Sequence, residues 1–533
     1  MRSRSLIFPL VLAAVLTGVV FLVQGRIDLN LADEGFLWEG VILTAHGKVP
    51  LRDFYSYDPG RYLWAAAWSK LLGEGILALR LSTAIFQAAG LLCGLLAARR
   101  VLPRAWQLTL GGILLVVWME PRHKLFEPAL AMAAVYVAVL LIESPTPRRH
   151  LLAGVMVGFA GVMGKNHGGY LLLAYAILIA WLHLRRIAPA EPARLARLSR
   201  LSCDTGLWIG GIVLGALPLL AMMACVPGFF SAYADSVLFF VHQGRTNFPL
   251  PVPWPWLGWP GSYAGLGWAA VLHKLALGAG FLLLPLTVAV ALSFLAVTTR
   301  ETVHRRALLL AGGTVGAFYL HHAFSRSDAF HLCQSIHPVL LALLGLPAAL
   351  EAARPDLRRI AAAVLALLLV FLSLFAAVPQ APLYLALTAQ GAGDHFVPFR
   401  VTGDALRVRQ RTANILGELQ AKIGSQVPAG EPVLAIPQLP GLYPILGRES
   451  PVSDFYPIWP AQGEKDETML REIREKGVRW VIYSNYTENE RPDLQFPSTH
   501  PRVWSYLQAS FERVDDPLLP RRIWLLRRKE GDF

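Results

Sequence analysis

Charged residues are scarce in this 533-residue chain, and their scarcity excludes most soluble architectures. Only 16% of the residues are charged, whereas 55% are hydrophobic. Soluble domains carry roughly a quarter charged residues. The composition therefore predicts a polytopic α-helical membrane protein.

Cysteine is also scarce, with four residues in the whole chain. They are scattered at Cys93, Cys203, Cys225 and Cys333. This spacing matches no metal-binding or redox motif. We therefore expect neither disulfides nor a cysteine-based site.

Acidic residues are outnumbered, with 36 Asp and Glu against 49 Lys and Arg, which gives a net charge of +13. Such a balance can indicate nucleic-acid binding. Here, however, the arginines form short clusters between apolar runs, where basic residues set the orientation of a membrane protein. We therefore expect no nucleic-acid partner.

Apolar runs are abundant, and a run of about 20 residues can cross a bilayer as a helix. The first run follows MRSRS and has no clear small-x-small cleavage site, so we expect an uncleaved helix. In total the sequence predicts about eleven transmembrane helices, near residues 6–24, 79–98, 106–119, 128–142, 151–164, 169–184, 206–224, 270–297, 307–321, 333–350 and 360–378.

The arginine clusters orient these helices. With the N-terminus inside, every inside loop is basic, as the positive-inside rule requires. These loops contain Arg99, Arg100, Arg104, Arg148, Arg149, Arg185, Arg186, Arg194, Arg197, Arg200, Arg300, Arg305, Arg306, Arg354, Arg358 and Arg359. The sequence thus predicts a multi-pass protein of the bacterial cytoplasmic membrane, with a transmembrane domain over residues 1–380 and an extracytoplasmic domain over residues 381–533.

The C-terminal region alternates strand and helix patterns, which is typical of an α/β domain. Residues 404–424 are predicted to be helical, PVLAIP a strand, and KDETMLREIREKG a helix that ends at Gly477. VRWVIYS and RRIWLLRR are predicted strands. We call residues 381–533 the tail.

Two adjacent carboxylates, Asp33 and Glu34, occur in LADEGFLWEG, about ten residues after the first predicted helix. They belong to a long outside loop, residues 25–78, that also contains Asp53, Asp58 and Arg61. Carboxylates in a partly desolvated pocket can accept a proton or bind a divalent cation. Acids also favour helix N-termini, so the pair could instead stabilise the start of a juxtamembrane helix.

Basic residues recur on the predicted outer face, where the positive-inside rule disfavours them. They are Arg61, Arg122, Lys124, Lys165, Arg245 and Arg326. Each could reach lipid headgroups, but as a set beside carboxylates they favour an anionic, lipid-linked substrate. The segment HHAFSRSDAFH adds His331 to Arg326. A metal site there remains open, but phosphate binding is favoured.

These motifs occur in an order that resembles the GT-C superfamily of membrane glycosyltransferases. The acidic pair of LADEG follows the first helix, GKVPLRDFYSYDPGRYLW leads into a helix, and ALRLSTAIF begins the next span. SRSDAFHLCQSIHPVLL is similar to the Arg-x-Asp-x-x-His run of bacterial members, and PAGEPVLAIPQLPGLYPILGRESP resembles their outside C-terminal domain. The strict pattern of the protein O-mannosyltransferases is absent.

The resemblance implies an inverting transfer of a sugar from a polyprenyl-phosphate donor to a hydroxyl on a lipid, glycan or protein. It implies that Asp33 is the catalytic base and that Glu34 assists it or contacts a metal. It implies that Arg326 and His331 neutralise the donor phosphate. We add Arg61 and Lys165 from charge and topology, and expect Asp53 and Asp58 to shape the loop or bind sugar. A divalent cation, Mg²⁺ or Mn²⁺, held by Asp33 and Glu34 is left open.

Other classes of protein remain as alternatives. A transporter or lipid flippase would show internal repeats and ionisable residues inside its spans, whereas here such residues cluster in outside loops. A glycan polymerase or ligase could also use outside Arg and His residues. A scaffold that merely presents the tail would not need eleven spans. We expect the tail to cover the active site or to select the acceptor.

Overall fold

The computed structural model describes residues 6–185, 194–351, 355–389, 395–461 and 463–530. The predicted inside arginines Arg186 and Arg354 lie outside these ranges. The chain forms two compact units. Unit 1 comprises residues 1–23 and 83–385, and unit 2 comprises residues 24–82 and 386–533. The first loop, which the sequence analysis grouped with the transmembrane domain, thus shares its unit with the tail.

Unit 1 is helical, with many apolar side chains exposed as expected of a surface that faces lipid. Its helices, three of which extend into unit 2 at one end, are α1 (Ile7–Gln24), α4 (Ile76–Ala98), α5 (Ala105–Val117), α6 (Phe126–Glu143), α7 (Pro147–Met163), α8 (Lys165–Leu184), α9 (Arg194–Gly215), α10 (Leu217–Cys225), α11 (Phe229–Gln243), α12 (Trp268–Val297), α13 (Val303–Ser325), α14 (Ala329–Ser335), α15 (His337–Glu351) and α16 (Pro355–Leu372), followed by a π-helix (Ser373–Ala377) and α17 (Pro382–Thr388).

All eleven predicted spans are helical, but fewer are long and apolar enough to cross a membrane. Among the described residues, seven helices pass that test, and up to nine if two bent pairs each count as one span. The pairs α9–α10 and α14–α15 each bend by 58°. Two of the predicted spans fall short of this test, because α5 has 13 residues and α7 has 17 and begins with Pro-Arg-Arg.

Glycines allow α7 and α9 to pack with their backbones in contact. A Cβ atom at Gly154 would lie 2.0 Å from the carbonyl oxygen of Trp208, and one at Gly211 would lie 2.2 Å from that of Leu151. The same closeness recurs one turn later at Gly158. Small residues spaced by four let membrane helices approach closely, so these glycines fix the pairing of α7 with α9.

The first loop of unit 2 is largely helical rather than irregular. It contains α2 (Asp33–Ala45) and α3 (Pro59–Leu72). The acidic pair forms the first two residues of α2, so acids do stand at a helix N-terminus, where the helix dipole favours negative charge.

The tail contains a hairpin and a four-stranded sheet with helices packed on it. The sheet order is β3-β4-β6-β5, with β3 and β4 parallel and the other pairs antiparallel. The predicted strands and the helix that ends before Gly477 are confirmed. The tail elements are β1 (Phe396–Val401), β2 (Asp404–Arg409), α18 (Gln410–Gln426), β3 (Val433–Ile436), α19 (Leu442–Leu446), α20 (Glu464–Glu475), β4 (Trp480–Ser484), α21 (Phe496–Thr499), α22 (Pro501–Ser510), β5 (Phe511–Val514) and β6 (Ile523–Arg528).

Backbone hydrogen bonds join the first loop to the tail. The amide of Asp28 donates a 2.8 Å hydrogen bond to the carbonyl of Arg407. The amide of Arg407 in turn donates a 2.8 Å hydrogen bond to the carbonyl of Arg26. The amide of Gly441 donates to the carbonyl of Leu31 at 2.9 Å. These bonds hold the segment that leads into α2 against the tail and so position Asp33 and Glu34.

Candidate active site

Asp33 begins α2, and the chain before it folds into a turn that fixes its position. The side-chain oxygen of Asn30 accepts hydrogen bonds from the amides of Ala32 and Asp33, at 2.9 and 3.1 Å. Asp33 is half-buried. Its Oδ1 accepts a 3.0 Å hydrogen bond from the hydroxyl of Tyr456 in the tail. A carboxylate at a helix N-terminus that accepts such a bond is favoured in its charged form, which is the form that takes a proton.

Tyr456 lies in an aromatic cluster that we define as Phe36, Tyr55, Tyr57, Phe455 and Tyr456. The ring of Phe36 lies 4.8 Å from those of Tyr57 and Tyr456. Burial raises the pKa of Tyr456 well above its ordinary value, and the charge of Asp33 raises it further. Tyr456 therefore keeps its proton and acts as the donor to Asp33.

Glu34 is committed to a different partner. Arg80 donates to both carboxylate oxygens of Glu34, at 2.8 and 2.7 Å, and both side chains are 2% exposed. Arg80 also donates to the carbonyls of Gly25 and Asp28. A buried bidentate pair of this kind anchors the loop. Glu34 would therefore have to share its carboxylate between Arg80 and any cation that it held together with Asp33.

Asp53 closes a turn in the loop between α2 and α3. It pairs with Arg52 at 2.7 Å and accepts a hydrogen bond from the amide of Val49 at 2.7 Å. The hydrogen bond from Arg52 is the main cause that lowers the pKa of Asp53. These contacts fit the predicted role of shaping the loop.

Asp58 and Arg61 are both buried at the start of α3. Asp58 is the N-cap residue, and Pro59 occupies the first helical position, where its missing amide proton costs nothing. The guanidinium of Arg61 lies over the ring of Tyr57, 5.4 Å from its centroid. Arg61 is thus held within the same layer of aromatic side chains as Tyr456.

The remaining predicted residues belong to unit 1. Lys165 is the first residue of α8. Its ammonium donates to the hydroxyl of Ser236 at 3.0 Å. It also lies 5.6 Å from the ring centroids of Tyr233 and Phe240. These contacts hold the cation in place at the helix end.

Arg326 and His331 are brought together by Asp328, the N-cap of α14. Arg326 donates to Oδ2 of Asp328 at 2.9 Å, and the backbone amide of His331 donates to Oδ1 at 2.8 Å. Burial alone would raise the pKa of Asp328, but the hydrogen bonds from His331 and Arg326 lower it to about 2. Asp328 is therefore an anion that positions its two neighbours.

Both ring nitrogens of His331 have side-chain partners. Nε2 lies 2.7 Å from Nδ2 of Asn247, whose Oδ1 accepts a hydrogen bond from the amide of Phe248. Nδ1 lies 2.9 Å from Oδ1 of Asp328. These two contacts fix the orientation of the imidazole ring.

Sequence reasoning missed Tyr456, Asn247 and the pairing of Arg80. Arg80 stood inside a quoted motif, ALRLSTAIF, so its signal was present. Tyr456 and Asn247 lie in segments whose pattern gives no sign of the distant residues that they contact.

Comparison with known proteins identifies the fold. No protein-family model matches the chain, and no curated protein matches it. Among solved structures, ArnT from Cupriavidus metallidurans bound to undecaprenyl phosphate has a TM-score of 0.52 at 15% identity, over 98% of both chains.

Two further solved structures match at lower TM-scores. AglB, an archaeal oligosaccharyltransferase from Archaeoglobus fulgidus, has a TM-score of 0.47 at 13% identity, over 99% of this chain and 74% of its own. The arabinofuranosyltransferase AftD from Mycobacteria has a TM-score of 0.46 at 14% identity, over 99% of this chain and 40% of its own. We base the fold assignment on ArnT alone. ArnT has the GT-C fold that the sequence motifs indicated. The chain is therefore a multi-pass membrane protein with the fold of the GT-C glycosyltransferases.

Proposed function

We propose that this protein is an inverting glycosyltransferase that moves a sugar from a polyprenyl-phosphate donor to a hydroxyl acceptor. The observation that carries the proposal is the setting of Asp33, a half-buried carboxylate at a helix N-terminus that accepts a hydrogen bond from Tyr456. A fixed, charged carboxylate near solvent is suited to remove a proton from a hydroxyl.

The donor class rests on the likeness to ArnT, whose solved structure contains undecaprenyl phosphate. Because that likeness covers 98% of both chains, we extend the lipid class to this protein. The acceptor is a lipid, a glycan or a protein. We assign the reaction to the outer face of the bacterial cytoplasmic membrane, with the N-terminus inside and the tail outside, because this orientation makes every inside loop basic.

In the proposed reaction, Asp33 takes the proton of the acceptor hydroxyl as the hydroxyl oxygen attacks the anomeric carbon of the sugar. The bond from that carbon to the phosphate oxygen breaks, and the polyprenyl phosphate leaves with the bonding electrons. Attack from the opposite side inverts the anomeric centre. Tyr456 holds Asp33 in position through this step.

The leaving phosphate gains charge as its bond breaks, so cations that contact it lower the barrier. We assign this role to Lys165, Arg326 and Arg61. His331, whose ring nitrogens contact Asn247 and Asp328, positions Asp328 beside Arg326 and would reach the phosphate only after rearrangement. No step uses a metal at Asp33, because Glu34 is paired with Arg80.

The test is sugar transfer from a panel of radiolabelled polyprenyl-phosphate sugars, in membranes that contain wild type or Asp33→Asn, with and without chelator. Asp28→Asn is a matched control, because Asp28 lies in the same loop at φ 62°, a conformation that asparagine tolerates. We expect transfer by wild type and by Asp28→Asn, loss in Asp33→Asn, and no effect of chelator.

Transfer that survives in Asp33→Asn would remove Asp33 from the role of base. Loss of transfer with chelator would overturn the metal-independent mechanism. If wild type moved labelled polyprenyl lipid across vesicle membranes but transferred no sugar, the flippase alternative would replace the enzyme. Extension of a glycan by whole lipid-linked units would favour a polymerase or ligase.

A further inference from the structure

Two histidines and an aspartate meet inside unit 1, away from every residue discussed above. His150 stands in the first turn of α7, His183 in the last turn of α8, and Asp204 within α9. One ligand atom from each lies within 4.8 Å of the other two. Among the residues that the structure describes, this is the one group of three or more His, Cys, Asp or Glu side chains close enough to hold a metal ion.

The glycine contacts between α7 and α9 create this cluster. His150 precedes Gly154 by four residues, and Asp204 precedes Gly211 by seven, so each shares a helix face with its glycine. These glycines place the two backbones in contact. The faces that carry His150 and Asp204 are therefore pressed together, and the distance from Nδ1 of His150 to Oδ1 of Asp204 is 3.6 Å.

The hydrogen bond of His150 fixes which ring nitrogen can bind a ligand. Nδ1 lies 2.9 Å from the carbonyl oxygen of Thr146, which can only accept, so Nδ1 carries the proton. Nε2 then presents a lone pair. A histidine whose second nitrogen donates to a backbone carbonyl is the usual second-shell arrangement of a metal ligand.

Nε2 of His150 is buried and has no hydrogen-bond partner among the described residues. Nε2 of His183 and Oδ2 of Asp204 are also buried, and they lie 3.3 Å from each other. His150 is 0% exposed and Asp204 is 3% exposed. A buried polar atom without a partner is costly, so the lone pair of His150 indicates that a further group binds in this cluster.

We propose that His150, His183 and Asp204 bind a divalent transition-metal ion that joins the adjacent ends of α7, α8 and α9. Two imidazoles and one carboxylate, with a water as fourth ligand, are a common zinc ligand set. Nε2 of His183 already lies 3.3 Å from Oδ2 of Asp204, close to the separation of two ligands on a tetrahedral zinc with bonds of about 2.0–2.1 Å. Arg200, whose Nε lies 3.8 Å from the same oxygen, must turn away as the ion binds.

The experiment uses the purified full chain in detergent, stripped with chelator, loaded with Zn²⁺ and freed of excess ion. Zinc per chain is then measured by mass spectrometry for wild type, His183→Ala and Asp204→Asn. His304→Ala is the matched control, because His304 is an exposed histidine at the start of α13. We expect about one zinc per chain in wild type and control, and at least a tenfold loss in the two site variants.

Thermal unfolding gives a second readout that is independent of transfer activity. Zn²⁺ should raise the unfolding midpoint of wild type and of His304→Ala but not of the site variants, because an ion that binds only the folded state stabilises it. Wild type that retains no zinc, or zinc retained equally by the site variants, would overturn the proposal. If the variants do not fold, the test is the visible absorption spectrum of wild type loaded with Co²⁺. Visible absorption of low-coordinate Co²⁺ is expected, and its absence counts against the site.

Discussion

The hydroxyl of Tyr456 donates a 3.0 Å hydrogen bond to Oδ1 of Asp33, a residue 423 positions earlier in the chain. The tail thus contacts the candidate base directly. In the sequence analysis we expected the tail to cover the active site or to select the acceptor. We propose a more specific task for the tail, which is to orient the carboxylate of the proposed base.

Removing that hydrogen bond should slow the reaction without weakening donor binding. A hydrogen bond to a charged group is worth about 1.5–3 kcal/mol, so Tyr456→Phe should lower kcat for sugar transfer by about 10- to 100-fold. The KM for the donor should change little, because Tyr456 contacts the base. The measurement is steady-state transfer in membranes with matched protein levels.

Tyr55→Phe is the control, because it also removes a hydroxyl from the aromatic cluster. The hydroxyl of Tyr55 has Trp459, and not Asp33, as its hydrogen-bond partner. It should retain most of the wild-type kcat. Equal loss in both variants would mean that the cluster acts by packing alone and that the bond to Asp33 has no separate role.

A methyl group at Gly35 should force α2 away from the tail. A Cβ atom there would lie 2.4 Å from the backbone nitrogen of Gly441 and 2.6 Å from its Cα. Backbone atoms cannot rotate aside, and such overpacking costs about 1–3 kcal/mol. Gly35→Ala should therefore lower the thermal unfolding midpoint and reduce transfer together. Gly417→Ala, in α18 with open space at its Cβ, should leave both unchanged or raise the midpoint slightly.

The adjacent carboxylates should respond differently to neutralisation. Glu34→Gln leaves the buried guanidinium of Arg80 without its counter-charge, which costs about 3–5 kcal/mol. We expect a large fall in unfolding stability of purified protein. Glu512→Gln, which breaks an exposed pair with Arg527, should leave the midpoint unchanged. Loss of transfer in Glu34→Gln at unchanged stability would instead support the predicted role in catalysis or metal binding.

Glu39 should make unit 2 less stable as the pH rises. Burial, and then the charge of Glu449, raises its pKa from 4.5 to about 8. Because the folded state binds this proton more tightly than the unfolded state, the contribution is complete below about pH 4.5 and is lost progressively up to about pH 8. Glu39→Gln should therefore flatten the fall in unfolding midpoint between pH 5 and pH 8. An identical slope in wild type and variant would contradict this assignment.

The sequence predicted the elements whose signals are local. The strand over Val433–Ile436 and the helix that ends before Gly477 follow from short apolar runs and a glycine stop. Residues 404–409 were predicted to be helical but form β2, paired with β1 through a turn at Thr402 and Gly403. Both turn residues have positive φ, 46° and 90°, as tight hairpins require, and that dipeptide was the missed signal.

The acidic pair shows why site roles were harder to predict. Asp33 and Glu34 are neighbours in sequence, so we expected them to act together at one site, with Asp33 as the base and Glu34 as its assistant or as a metal contact. Successive residues of an α-helix point about 100° apart, so the two carboxylates face different partners. Asp33 meets Tyr456 from the tail, whereas Glu34 meets Arg80 from the start of α4. Neither partner can be read from local periodicity, because each is set by tertiary packing.

The hydrogen bonds that join Asp28 to Arg407 and Leu31 to Gly441 also set an order of events during synthesis. The first loop leaves the ribosome early, but its partners follow more than 370 residues later, after the helices of unit 1. Unit 2 can close only when the tail has been made. A chain that stalls before Tyr456 carries Asp33 yet lacks the group that orients it, so the setting of the proposed base forms only after the tail has been translated.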